Sequence, residues 1–88
     1  MRQAQERAVG WAMRQPGVEA DMKLVLLTMA LHVTDEGVVD LPLERVGELA
    51  GQSEEALAAI TRRLGRQRLL LCCEQGLCLP AEAVATRH

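Results

Sequence analysis

Two short amphipathic segments on either side of Gly51 constrain the fold of this chain more than any other feature. The first segment runs from Leu43 to Ala50 and the second from Ser53 to Leu64. In both, apolar residues recur at the three- and four-residue spacing of one helical face. Glycine often follows a helix in a left-handed cap, and serine is a preferred N-cap. The sequence therefore predicts two helices that are joined by a tight turn.

The two predicted helices are expected to cross and to bury their apolar faces against each other. The residues expected in this contact are Val46, Leu49 and Ala50 from the first helix and Leu57, Ile60 and Leu64 from the second. In particular, we expect Leu49 to be buried against Ile60, and the small Ala50 to lie where the helices approach closely. Pro42 suits the first helical position, since its missing N–H would be unpaired there.

The rest of the chain is predicted from apolar runs and from the turn residues between them. The predicted elements are a helix from Ala4 to Arg14, a mostly buried helix from Met22 to Val33, and strands at Val38–Leu41, Leu69–Cys73 and Leu77–Leu79. Gln75-Gly76 is expected to form the turn of a terminal hairpin. The expected fold class is therefore mainly α with a small β-hairpin.

Composition and charge exclude several classes of function. The 88 residues suffice for one domain, and Trp11 is the only aromatic residue, so binding of single strands by stacked rings is not expected. The net charge of −2 argues against a strong non-specific hold on DNA. The charges are nevertheless separated, because Asp35 to Glu55 holds seven acids and one base, whereas Arg62 to Arg68 holds four arginines and no acid. This layout suits a molecule with one basic face.

The sequence offers no catalytic or membrane signature. It has no Ser-His-Asp set and no phosphate-cradling glycine loop, so we expect neither an enzyme nor a bound cofactor or small-molecule substrate. There is no apolar run of about 18 residues and no signal-peptide layout. We therefore expect a cytoplasmic protein that does not engage membranes.

The three cysteines allow more than one interpretation. Cys73 and Cys78 would face each other across the predicted hairpin, so they could form a redox-sensitive pair. The main expectation is nevertheless that Cys72, Cys73 and Cys78 are buried structural thiols. A zinc site would need His32 or His88 from afar, and no metal is expected.

The chain resembles a family of bacterial and phage winged helix-turn-helix domains found in replication initiators and small transcription regulators. The resemblance covers residues 10 to 80, roughly, and is carried by Trp11-Ala12, Lys23 to Leu27, Asp35-Glu36-Gly37, Val46 to Ile60 and Arg68 to Leu71. It implies a three-helix core, a wing and an extra N-terminal helix. The corresponding divisions are an N-terminal helix in 1–15, the winged domain in 16–80 and a tail in 81–88.

The resemblance implies that duplex DNA is the partner and that the second helix of the motif contacts it. The residues expected at this interface are Gln52, Ser53, Glu55, Arg62, Arg63, Arg66 and Arg68. Two other interpretations stay open: the arginines could only offset the helix dipole, and Ser53 could be only an N-cap.

An alternative function is a protein-interaction or dimerisation module with little or no DNA binding. The start of the second helix carries Glu54 and Glu55, and the expected wing carries no Lys or Arg. Apolar residues that could form such an interface are Trp11, Leu70, Leu77 and Leu79. Trp11 could equally pack the first helix onto the core.

Overall fold

The computed structural model describes residues 2–85 of the chain. In chain order its elements are α1 (Gln3–Met13), α2 (Ala20–Leu31), α3 (Leu43–Leu49), α4 (Glu54–Arg66), β1 (Leu71–Cys73), β2 (Gly76–Cys78) and α5 (Ala81–Val84). The protein is therefore mainly helical with a small antiparallel hairpin, as the sequence predicted. No helix in this part of the chain is long and apolar enough to cross a membrane.

Helix α2 lies at the centre of the core and packs against α1, α3 and α4. Its fully buried residues are Met22, Val25, Leu26, Met29 and Ala30. Trp11 of α1 is only 6% exposed and belongs to the same core. Since the core is otherwise aliphatic, Trp11 contributes its largest single side chain.

Lys23 fastens the end of α1 to the beginning of α2. Its Nζ donates hydrogen bonds to the carbonyl oxygens of Ala12, Met13 and Gln15, at 3.0, 3.2 and 2.9 Å. The last carbonyls of a helix have no partner within the helix, and a cation there also interacts favourably with the dipole. Lys23 thus stabilises the turn at Pro16-Gly17 that the sequence predicted.

Helices α3 and α4 are joined by the four residues Ala50 to Ser53. Gly51 has a φ of +69°, and the Gln52 N–H donates to the Gly47 carbonyl at 2.8 Å, which closes α3 as a left-handed cap. The Ser53 hydroxyl accepts from the Ala56 N–H at 3.2 Å and caps α4. The turn chemistry predicted at Gly51 and Ser53 is confirmed.

The predicted burial of Leu49 against Ile60 is wrong. Leu49 is 53% exposed, whereas Val46, Gly47 and Ala50 are buried. The physical reason lies at Gly47, where an added Cβ would come within 2.9 Å of Leu57 Cδ2. Because glycine lets the backbone of α3 approach α4, the helix turns this small-residue side inward and leaves Leu49 at the surface.

The terminal hairpin also differs from the prediction in its register. The turn residues are Glu74-Gln75, and Gly76 pairs with Cys73 instead of belonging to the turn. Leu69 and Leu70 are buried but lie in a bend before β1, which begins only at Leu71. Residues 69–73 are apolar without alternation, so the sequence does not show which side chains face the core. The first residue of the strand could therefore not be predicted.

A third extended segment joins the hairpin to the helical core. The Val39 N–H donates to the Leu77 carbonyl at 2.9 Å, and the Leu79 N–H donates to the Gly37 carbonyl at 2.8 Å. The strand predicted at Val38–Leu41 is thus reduced to single bridges at Val38 and Val39. It nevertheless pairs with β2, so residues 37–39 and the hairpin form one small β layer.

The short helix α5 closes the described part of the chain. Arg7 of α1 donates from Nε to the Val84 carbonyl at 2.8 Å, and Ala83 and Val84 are buried. The predicted tail of 81–88 therefore begins as part of the core. His88, which was considered as a distant metal ligand, lies outside the described residues.

Candidate functional site

Helix α4 presents one face to the core and the opposite face to solvent. Leu57, Ile60 and Leu64 are buried at the spacing of one helical face. With 3.6 residues per turn, the residues on the opposite side are Glu55, Ala58, Ala59, Arg62 and Arg66. We call these five residues the outer face of α4. Its middle consists of two alanines, so the helix backbone there is accessible to a close partner.

The four arginines from Arg62 to Arg68 are all exposed, as the sequence predicted. Arg63 donates from a guanidinium nitrogen to Glu19 Oε1 at 3.1 Å, so its charge is partly matched at the surface. Arg63 and Arg66 lie in the last turn of α4, where basic residues offset the helix dipole. Arg62 lies one turn earlier and points outward with Arg66.

Arg68 lies in a backbone conformation that normally selects glycine. Its φ is +60°, and it is the one non-glycine residue with a positive φ in residues 2–85. The Leu69 N–H donates to the Leu64 carbonyl at 2.9 Å, and the Arg68 N–H to the Gly65 carbonyl at 3.1 Å. These bonds form the glycine-type cap of a helix end, with arginine at the left-handed position. Arg68 therefore occupies a strained backbone position close in the chain to the other three arginines.

The first turn of α4 has the opposite charge. Glu54 and Glu55 are exposed, and Gln52 donates from Nε2 to the Ala50 carbonyl at 3.3 Å within the turn. A groove of about 260 Å³ lies between α3 and α4 and is lined by Glu44, Gly47, Glu48, Gln52, Glu54 and Leu57. This end of the helix therefore repels phosphate, whereas the end with the arginines attracts it.

The residues expected at an apolar interface are mostly in the core. Trp11, Leu70 and Leu79 are 6%, 5% and 3% exposed, and Leu77 is half-buried. The apolar side chains that reach solvent are different ones: Met13, Leu24, Leu31, Leu43, Leu49 and Leu71. An interface built from Trp11, Leu70 and Leu79 would require the domain to open.

The outer side of α2 is an apolar surface that the sequence prediction missed. Leu24 and Leu31 are 50% and 44% exposed, and Leu27 between them is partly buried. We call these three residues the α2 stripe. The signal was in the sequence, because α2 is apolar on every side and a small core can cover only one of them.

The cysteines are not the buried structural thiols of the main expectation, and the structure instead has the alternative pairing of Cys73 with Cys78. Cys73 and Cys78 are joined in a disulfide, and Cys72 is a free, exposed thiol. The pair is not directly opposite, because Cys78 pairs with Leu71 and Cys73 with Gly76. Within residues 2–85, no three His, Cys, Asp or Glu side chains are arranged to hold a metal ion.

A second surface groove, of about 540 Å³, lies between α1 and α5. Its charged lining residues are Glu6, Arg7, Arg14 and Glu82. The two signs of charge are balanced there, and Arg7 already donates to a backbone carbonyl. The groove therefore has no excess charge that would select an ion.

Comparisons with protein-family models, curated proteins and solved structures found no match to this chain. The functional interpretation therefore depends on the geometry described above.

Proposed function

We propose that this chain is a winged helix-turn-helix domain that binds duplex DNA through the outer face of α4. The observation that carries the proposal is the pair of exposed arginines, Arg62 and Arg66, on the outward side of a helix that follows a Gly-centred turn. In this interpretation α3 and α4 are the helix-turn-helix, and the hairpin with residues 37–39 is the wing.

The shape of the outer face supports contact with a nucleic-acid groove. Ala58 and Ala59 leave the middle of α4 without long side chains, and Arg62 and Arg66 follow one turn apart. A helix that enters the major groove needs close backbone approach, and arginines at its edge can reach the phosphates. The methyl groups of alanine also suit contact with the methyl group of thymine.

The charge distribution limits how the helix can approach DNA. Glu54 and Glu55 at the first turn repel phosphate, although a carboxylate can accept a hydrogen bond from cytosine N4. The tip of the hairpin, Glu74-Gln75, adds no positive charge. We therefore propose that phosphate contacts come from the arginine end of α4, and that affinity is moderate and strongly dependent on salt.

The test is duplex binding by fluorescence anisotropy between 50 and 200 mM salt, with a random duplex and the matching single strand. The slope of log K against log salt is negative, and each phosphate contact adds roughly 0.9 to its magnitude. Replacing Arg62 with glutamine (Arg62→Gln) should therefore make the slope less steep by about 1. The matched control is Arg2→Gln, which removes the same charge from an exposed residue.

Arg2 is a suitable control because it is far from the arginines of α4: it lies near the C-terminal end of α2, whereas those arginines lie near the N-terminal end of α2. It lines a groove with His32, the C-cap of α2, whereas the Arg63 partner Glu19 is the N-cap. A helix of this length separates its two ends by roughly 18 Å. Absence of duplex binding by the wild-type chain at 50 mM salt, or an equal effect of Arg2→Gln, would contradict the proposal.

A second candidate function is self-association through the α2 stripe. Leu24, Leu27 and Leu31 have the alternating three- and four-residue spacing of a helix–helix seam. The stripe carries no charge, and in an antiparallel pair Leu24 of one copy would meet Leu31 of the other around a two-fold axis. A surface of this kind is self-complementary, so a second copy of this chain is the partner that it suits.

Sedimentation velocity over a concentration series tests this second function. Leu24→Gln should shift the chain towards the monomer, because it places a polar amide in the seam, opposite Leu31 of the other copy. Leu43→Gln is the control, since Leu43 is 38% exposed but lies on α3, outside the stripe. A wild-type chain that stays monomeric at several hundred micromolar would exclude this association.

A further inference from the structure

The terminal hairpin is too short to be stable by itself. Each strand has three residues, and a two-residue turn joins them. Isolated two-stranded hairpins are marginal in water, so their order depends on cross-links and on neighbours. Here the neighbour is the segment 37–39, through the bonds of Val39 and Leu79 and the bridge between Val38 and Cys78.

The alternation of the strands selects one pair among the three cysteines. Cys73 lies opposite Gly76, and Cys78 lies opposite Leu71, so both cysteines project from the same face of the hairpin. Gly76 has no side chain between them, and their Cα atoms are 6.2 Å apart, within the range that a disulfide spans. Cys72 projects from the opposite face and is excluded from the pair.

We infer that Cys73 and Cys78 form a reversible thiol–disulfide switch that controls the order of the hairpin and of its pairing with residues 37–39. Both cysteines are half-buried, and the adjoining tip residues Glu74 and Gln75 are exposed, so a small disulfide reagent can approach. Cys78 is also the residue that bridges to Val38. Closing or opening the link therefore acts where the hairpin joins the rest of the fold.

The oxidant is a low-molecular-weight disulfide of the glutathione class. One protein thiolate attacks it, forming a mixed disulfide and releasing one glutathione thiolate. The second protein thiolate then attacks the protein sulfur of the mixed disulfide, forming the Cys73–Cys78 bond and releasing the second glutathione. Two electrons pass from the two cysteines to glutathione disulfide, and their two protons pass to the released thiols. Reduction is the reverse sequence.

The effect of the switch should end at the hairpin. Leu69 and Leu70 are 8% and 5% exposed, and they anchor the chain between α4 and β1 in the core. Opening the hairpin therefore leaves α4 in place. The inference goes beyond the proposed DNA binding and does not depend on it.

The test combines thiol counting with hydrogen exchange on the full chain. Samples are equilibrated across a series of glutathione redox ratios, quenched with an alkylating reagent and mapped by mass spectrometry. We expect Cys73 and Cys78 to become linked to each other as the ratio becomes oxidising, while Cys72 is found either as the alkylated thiol or as its mixed disulfide with glutathione, never in the intramolecular link. On reduction, amide protection at Val39 and Leu79 should fall about tenfold or more, and protection at Ile60 of α4 should not change.

Two variants make the outcome decisive. Cys72→Ser should respond to the redox ratio like the wild type, whereas Cys78→Ser should show low protection at Val39 under both conditions. The inference is overturned if all three thiols stay reactive at the most oxidising ratio, or if Cys72 takes part in the link. It is equally overturned if the link forms and the protection of Val39 and Leu79 does not change.

Discussion

Arg68 allows the strain at the end of α4 to be measured directly. Its φ of +60° lies in the left-handed region, which costs a residue with a Cβ roughly 1–2 kcal/mol. Replacing it with glycine removes this strain but adds about 0.4–1 kcal/mol of backbone entropy to the unfolded chain. We therefore expect Arg68→Gly to stabilise the protein by about 0.5–1 kcal/mol. For a domain of this size that corresponds to a rise in Tm of roughly 2–8 °C.

Thermal and urea unfolding of three variants separate the backbone effect from the loss of charge. Arg68→Ala keeps the Cβ and the strain, so it should gain little stability. Gln67→Gly is the opposite control, because Gln67 has a φ of −84° and glycine there only adds entropy to the unfolded chain. If Arg68→Ala stabilises as much as Arg68→Gly, the charge is responsible and the reasoning from φ is refuted.

Three further substitutions test the contacts that hold the helices together, each by urea unfolding. Gly47→Ala should change the free energy of unfolding by less than about 1 kcal/mol, because the new Cβ meets only the movable Leu57 Cδ2 at 2.9 Å and this strain is offset by a gain of about 1 kcal/mol in helix propensity; the substitution should be more favourable in a Leu57→Ala background, and full additivity in this double-mutant cycle would contradict the contact. Lys23→Met keeps the apolar stem but loses three hydrogen bonds, so a loss of about 1–2 kcal/mol is expected, and an unchanged midpoint would exclude the capping role. Ser53→Ala should cost about 1 kcal/mol, whereas Ser53→Asp should cost little, and equal losses would count against the N-cap.

The helices could be predicted from their apolar runs, and local chemistry defines the turn where α3 ends and α4 begins. The predicted boundaries of α2 and α4 differ from the structure by two residues or fewer. Gly51 and Ser53 form the left-handed cap and the N-cap from the residues of the turn itself. Such signals are encoded within a few neighbouring residues, so a sequence carries them without knowledge of the tertiary structure.

Which side of α3 is buried could not be predicted, because it depends on the size of the side chains and not on their hydrophobicity. Leu49 satisfies the helical pattern as well as Val46 does, and the pattern alone makes it a core residue. The structure instead turns Gly47 towards Leu57, whose side chain packs directly against the α3 backbone where no Cβ is present. A glycine inside a short amphipathic helix is the signal that indicates such a contact.

The candidate site could be predicted only in part, for a related reason. Exposure of Arg62 and Arg66 follows from their place opposite the buried stripe of α4. The ion pair of Arg63 joins residues 44 positions apart, and the left-handed conformation of Arg68 depends on how the chain leaves α4 towards the core. Both features are tertiary, and no local pattern encodes them.

Arg62 is the residue that best separates the two interpretations of the arginine cluster. Arg63 and Arg66 lie in the last turn of α4, where offsetting the dipole is a sufficient explanation, and Arg63 also pairs with Glu19. Arg62 lies one residue before that turn, where the dipole effect is weaker. Under the proposed DNA binding, this arginine on the outward side of the helix would contact a phosphate beside Ala58 and Ala59. For this reason the salt dependence of Arg62→Gln carries more weight than that of its neighbours.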